Sequence, residues 1–111
     1  MRKAMISQPM AGKTNKQILE QRDKAIKALK DMGYEVVDSY FDDEWSKPEN
    51  MEKRGIVNIP LCFLAKSLEK MSECDAVYFC EGWENTRGCN IEHGVAFAYG
   101  LKIIYENNSA S

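Results

Sequence analysis

The spacing of apolar residues changes several times along the chain, and each change marks a predicted element. Residues 2–6 form a short, partly apolar run that stops at Ser7-Gln8-Pro9, where the proline removes a backbone donor and disfavours continuation. This pattern predicts a first strand leading into a loop. Thr14-x-x-Gln17 has the form of a capping box, and Ile18, Arg22, Ala25, Ile26, Leu29 and Met32 then recur at helical spacing before Gly33. An amphipathic helix over 15–32 follows from that period. Tyr34-Glu35-Val36-Val37-Asp38 is a short β-branched run, so the first 38 residues read as a βαβ unit.

Residues 39–58 carry Asp42, Asp43, Glu44, Lys47, Pro48, Glu49 and Asn50 with little periodicity, which predicts a long loop or lid. Asn58 can cap a second helix with Pro60 in its first turn. Leu61, Leu64, Leu68 and Met71 lie along one face of that helix, which ends near Ser72. Asp75-Ala76-Val77-Tyr78-Phe79-Cys80 is nearly continuous in apolar character after its first residue, as expected of a central strand covered on both faces. A polar loop over Glu81–Arg87 contains Trp83. Gly88 precedes a third helix with Ile91, Val95, Ala98 and Tyr99 on one side and Gly100 at its end. Leu101–Tyr105 is the last strand.

Strands alternating with helices imply parallel pairing through right-handed crossovers. The expected fold is therefore α/β: a small doubly wound, flavodoxin- or Rossmann-like parallel sheet of four strands in the order 2-1-3-4, with three main helices. One domain over residues 1–105 fits the 111-residue length, with 106–111 as a flexible tail. Hydrophobic residues make up 44% of the chain and charged residues 29%, which suits a packed core. No apolar run approaches the ~18 residues that cross a bilayer, and the N-terminus turns polar too early for a secretory signal, so the expectation is a cytoplasmic protein without a membrane partner. Fifteen basic and seventeen acidic residues, with no dense basic block, argue against a nucleic acid polymer as partner. Cys62, Cys74, Cys80 and Cys89 contain no C-x-x-C pair, and His93 is the single histidine, so neither a zinc site nor any other metal site is expected. The first three cysteines read as small buried hydrophobes.

In an open parallel sheet, ligands bind beyond the carboxyl ends of the strands where the strand order reverses. Here that point lies between the first and third strands. The loop from Ser7 to Thr14 meets the loop from Glu81 to Gly88 there, and each precedes a helix whose free N–H groups favour an anion. Gly12-Lys13-Thr14 resembles the end of a phosphate-binding Walker loop, but the first glycine of that motif would fall on Ser7, so an ATPase is rejected. Glu92 lies near the start of the third helix, where the dipole is expected to hold it ionised beside the cleft. A carboxylate there suits attack on an anomeric carbon; the plainer alternative is a glutamate that merely complements the dipole.

Ile6-Ser7-Gln8-Pro9-Met10-Ala11-Gly12-Lys13, together with the run from Trp83 to Gly94, resembles the nucleoside 2-deoxyribosyltransferase superfamily over nearly the whole chain. It is most similar to a phage and bacterial branch with S-Q-P-M and R-G-C-x-I-E-H signatures, and more distantly to the 2′-deoxynucleoside 5′-phosphate N-hydrolases. The resemblance implies cleavage or exchange of an N-glycosidic bond, with Glu92 as nucleophile and no cofactor. It implies that Ser7, Gln8, Met10 and Gly12 line the sugar and base pocket, and that Thr86, Arg87 and Gly88 hold a 5′-phosphate. A hydroxyl at Thr86 can donate to phosphate, whereas a carboxylate would repel it. Trp83 has two readings, stacking on a base or covering the loop.

Ser67 is a departure. It falls in the substrate pocket where the characterised enzymes have an aspartate that assists the leaving base, and serine cannot supply that acid. Glu69 or Asp38 are the alternatives for activation. Asp75 matches a strand-leading aspartate and reads as structural. The resemblance also implies a homo-oligomer, a dimer, whose partner completes the site; Asn107 or Asn108 could replace a fragment of the family's C-terminal segment. Two functions therefore stand side by side. One is an N-glycosidase or deoxyribosyltransferase-like enzyme acting on a nucleoside 5′-monophosphate. The other is a non-catalytic module that senses or sequesters a small nucleotide-derived ligand.

Overall fold

The computed structural model describes residues 1–37 and 47–106. The first part of the expected lid, Asp38, Asn107, Asn108 and most of the expected tail lie outside the described residues. Four strands form one all-parallel sheet in the order β2-β1-β3-β4: β1 over Lys3–Ser7, β2 over Glu35–Val36, β3 over Ala76–Phe79 and β4 over Lys102–Tyr105. Three long helices cover it: α1 over Asn15–Asp31, α3 over Ile59–Met71 and α4 over Arg87–Ala98, with the short α2 over Pro48–Lys53 between α1 and α3. The expected α/β fold and strand order are thus present.

Local chemistry explains the helix starts. Thr14 and Gln17 form the capping box reciprocally, the Thr14 hydroxyl accepting from the Gln17 N–H at 3.2 Å and the Gln17 side chain accepting from the Thr14 N–H at 3.0 Å. The Asn58 side chain caps α3 by accepting from the Leu61 N–H at 3.0 Å. Within the expected loop the described part contains α2, which begins at Pro48 and buries Met51. Proline is preorganised for a first helical turn, and one apolar anchor is enough to hold a six-residue helix that periodicity alone does not reveal.

The two-residue period of the strands divides the core between the sheet faces. Ala4 and Ile6 of β1 join Ala76 and Tyr78 of β3 under Ala25 and Leu29 of α1. Met5, Val77 and Phe79 point the other way and pack with Met71 and Ala96, from α3 and α4. β3 is buried along its whole length, as its near-continuous apolar run predicts. Ser7 pairs with Phe79 at the carboxyl ends of β1 and β3. Being two residues past Met5, it shares the α3/α4 face.

The buried side of α4 differs from the expected one. Cys89, Glu92 and Ala96 are buried, while Ile91 and Tyr99 are exposed. Tyr99 lies past the last helical turn, so its apolar ring does not report the inward face. Leu29 is fully buried under α1, and replacing it with alanine should cost ~2–5 kcal/mol through lost burial and the cavity left behind. Urea denaturation measures this; a loss below ~1 kcal/mol would contradict α1 as a load-sharing half of the core.

Candidate active site

The reversal of strand order between β1 and β3 opens a cleft of about 540 Å³ across the carboxyl edge of the sheet. Ile6, Gln8, Met10 and Ala11 bound it from β1 and the following loop, and Pro60, Phe63, Leu64 and Ser67 form a largely apolar wall on α3. Thr86, Gly88, Cys89 and Glu92 close it from α4. Arg22 enters from α1, on the other face of the sheet.

Glu92 is 7% exposed and Ser7 1% exposed, and the Ser7 hydroxyl donates to Oε1 of Glu92 at 2.8 Å. Burial pushes the Glu92 carboxyl above the usual 4.5, and the Ser7 hydrogen bond opposes that rise by favouring the charged form. The expectation that the helix dipole governs its charge is corrected here. Glu92 is the sixth residue of α4, beyond the first turn where the dipole acts strongly, so desolvation dominates. Cys89 is buried beside the Ser7 and Thr86 hydroxyls, and burial raises its thiol pKa as well. Cys74 and Cys80 are pushed up to about 11 and about 12, again mainly by burial, and stay protonated near neutral pH. Cys62 is only half-buried, unlike the other three.

The cleft gathers Gln8, Met10, Ser67, Thr86, Gly88 and Glu92 from the expected set, with Ser7 behind them as the hydrogen-bond donor to Glu92, but leaves out Gly12, Trp83 and Arg87. Gly12 sits in the turn before α1 at a φ of 76°, a backbone region that favours glycine, and faces a separate surface. Arg87 is the first residue of α4 and is exposed, so helix geometry turns its side chain away from the cleft that Gly88 and Glu92 line. Trp83 stacks on His93 with centroids 4.2 Å apart and packs near Phe79 and Tyr105, and His93 Nε2 lies 2.7 Å from the Tyr105 hydroxyl. This packing accords with the reading in which Trp83 covers the loop. Glu69 is exposed on α3 outside the cleft, and Asp75 accepts from the Lys3 N–H at 2.8 Å at the opposite end of the sheet.

Thr86 donates to the Trp83 carbonyl at 3.2 Å and provides no side-chain cap to α4. First-turn N–H groups of α4 therefore lack an internal partner at the rim marked by Thr86 and Gly88. Gly88 has open space where a Cβ would stand. On the opposite side, the Gln8 amide donates to the Ile18 carbonyl at 2.6 Å, which ties the β1 loop to α1, while its Oε1 is buried without a partner.

A family model described as a domain of unknown function, DUF4406, matches residues 2–105. The chain belongs to the DUF4406 family. No curated protein matches it in sequence. In this DUF4406 domain the residue that sequence reasoning overlooked is Arg22, 7% exposed and at the cleft. Its signal was present as a cation inside the apolar period Ile18, Ala25, Ile26 and Leu29. No group of three or more candidate metal ligands is found among the described residues, and none of their helices is long and apolar enough to cross a membrane.

Because the folded Glu92 holds its proton more tightly than the unfolded chain does, its contribution to stability is full below about 4.5 and is lost as pH rises through the folded value. Glu92→Gln removes that loss. Thermal denaturation across pH should therefore show the variant gaining on the wild type from about pH 4.5 upward, and equal pH dependence of the two would contradict a desolvated Glu92.

Proposed function

We propose that this DUF4406 domain is a cytoplasmic enzyme that cleaves the N-glycosidic bond of a nucleoside 5′-monophosphate, or transfers its deoxyribosyl group, with Glu92 as nucleophile. The observation that carries the reading is the buried carboxylate of Glu92, held by the Ser7 hydroxyl at 2.8 Å on the floor of the cleft. One oxygen is oriented by Ser7, which leaves the other for attack on the anomeric carbon. Desolvation raises the energy of the carboxylate and removes competing water from its lone pairs, both of which favour bond formation. The similarity of the Ser7–Lys13 and Trp83–Gly94 segments to the nucleoside 2-deoxyribosyltransferase superfamily supports the same assignment.

A cleft of about 540 Å³ has the size of a small-molecule site. Its wall of Pro60, Phe63 and Leu64, facing Met10, suits the flat face of a nucleobase. The first-turn N–H groups of α4, with Thr86 and Gly88 at the rim, suit a 5′-phosphate. Arg87, being outside the cleft, is not needed for that contact.

A second reading has one observation in its favour. Glu92 is the single carboxylate lining the cleft among the described residues, whereas glycoside-cleaving sites commonly use two. A binding module that retains the nucleotide without turnover fits that shortage.

Incubation with a panel of ribo- and deoxyribonucleoside monophosphates, followed by chromatography, distinguishes the readings. The expected result is release of free base, falling by at least ~10³-fold in Glu92→Gln, in keeping with the loss of a group that acts only in the transition state. Binding without release in the wild type would transfer the assignment to the module, and neither binding nor release would remove both.

A further inference from the structure

We infer that Arg22 is a further catalytic residue, which stabilises the negative charge that develops on the departing nucleobase. This inference rests on the N-glycosidic reaction proposed above. When a Glu92 oxygen bonds to the anomeric carbon, the bond from that carbon to the base nitrogen breaks and its electron pair leaves with the base. The base departs as an anion unless an acid protonates it, and it takes a proton from water on release. Among the described residues that line the cleft none is suited to be that acid: Ser67 has only a hydroxyl, and the Cys89 thiol is a poor proton donor with its pKa raised by burial. A positive charge at the leaving group lowers the barrier without such an acid.

Arg22 is the single cation lining the cleft among the described residues. It stays charged at any working pH, and its planar fork can donate to a ring nitrogen and to a neighbouring carbonyl oxygen at once. Its 7% exposure puts it in surroundings where a charge interaction is screened far less than in water. Position supports the same role. Displacement at the anomeric carbon requires the nucleophile and leaving group on opposite sides, and Glu92 and Arg22 bound one cleft from helices on opposite faces of the sheet. The α4 N-terminus, on the Glu92 side, is then left to the phosphate.

The decisive titration uses 5-nitrouracil, an acidic nucleobase whose anion has its own absorption band, so that its ionisation is read directly when bound. Wild type should bind the anion in preference and lower the apparent pKa of the bound probe by about one unit, a tenfold selectivity. Glu92→Gln should keep that shift and Arg22→Met should abolish it. Arg22→Lys, which retains a cation if the methionine variant does not fold, should keep only part of it. Failure of wild type to bind the anion, or an unchanged shift in Arg22→Met, would overturn the inference.

Kinetics supply the second arm. Arg22→Met should slow release of natural bases by ~10²–10³-fold in kcat, yet slow 4-nitrophenyl 2-deoxyriboside 5-phosphate by less than ~10-fold, because its leaving group needs little help. Equal losses on both, or a loss confined to the KM of phosphate-bearing substrates, would overturn it and make Arg22 a phosphate contact. Absence of base release in wild type would count against Glu92 as nucleophile, while the titration would still decide what Arg22 does.

Discussion

A carboxyl group with little contact with water is costly to ionise, and the surroundings of Glu92 are organised around that cost. Burial favours the neutral acid, and the 2.8 Å hydrogen bond from Ser7 favours the carboxylate. The balance keeps a group on the cleft floor that is more basic than an ordinary glutamate and fixed in direction by its partner. Were Glu92 on the outer face of α4, water would solvate it and Ser7 would lose its carboxylate acceptor.

Two independent periodicities make that contact. Along β1, the alternation that sends Ala4 and Ile6 toward α1 sends Met5 and Ser7 toward α3 and α4. Along α4, the inward stripe runs through Cys89, Glu92 and Ala96. The parallel pairing of Ser7 with Phe79 brings the end of β1 level with the end of β3, from which the chain turns into α4. Core packing and site geometry are therefore set by the same register. A one-residue slip of β1 would turn Ser7 away and bury a different side chain in its place.

The architecture was legible because its signals are local and repetitive. The Thr14–Gln17 box, the helical spacing after Ile18 and the unbroken apolar run of β3 each predict an element, and alternation of strands with helices then restricts the topology. That Thr86 and Glu92 border the cleft and that Ser7 lies beside them was legible, because they flank strand ends at the switch point. What could not be read is orientation. Arg87 adjoins two cleft residues in sequence, yet one step along a helix rotates a side chain by ~100° and carries it outside. Trp83 lies in the correct loop but finds His93 and Tyr105 as ring partners, which depends on where the middle of α4 and the end of β4 come to lie. Arg22 looked like one more member of an amphipathic helix, since only the assembled sheet edge reveals that its turn of α1 overhangs the cleft.

In the proposed reaction Glu92 forms a covalent bond to the sugar. Its most direct test is mass spectrometry of the protein after incubation with 2-deoxy-2-fluoro-arabinosyl nucleoside monophosphates, whose fluorine slows breakdown of a glycosyl ester. The expected result is a mass increase equal to one fluorinated sugar phosphate, localised by proteolysis to the peptide containing Glu92 and absent from Glu92→Gln. Release of base with no adduct on Glu92, or with an adduct on another residue, would contradict it.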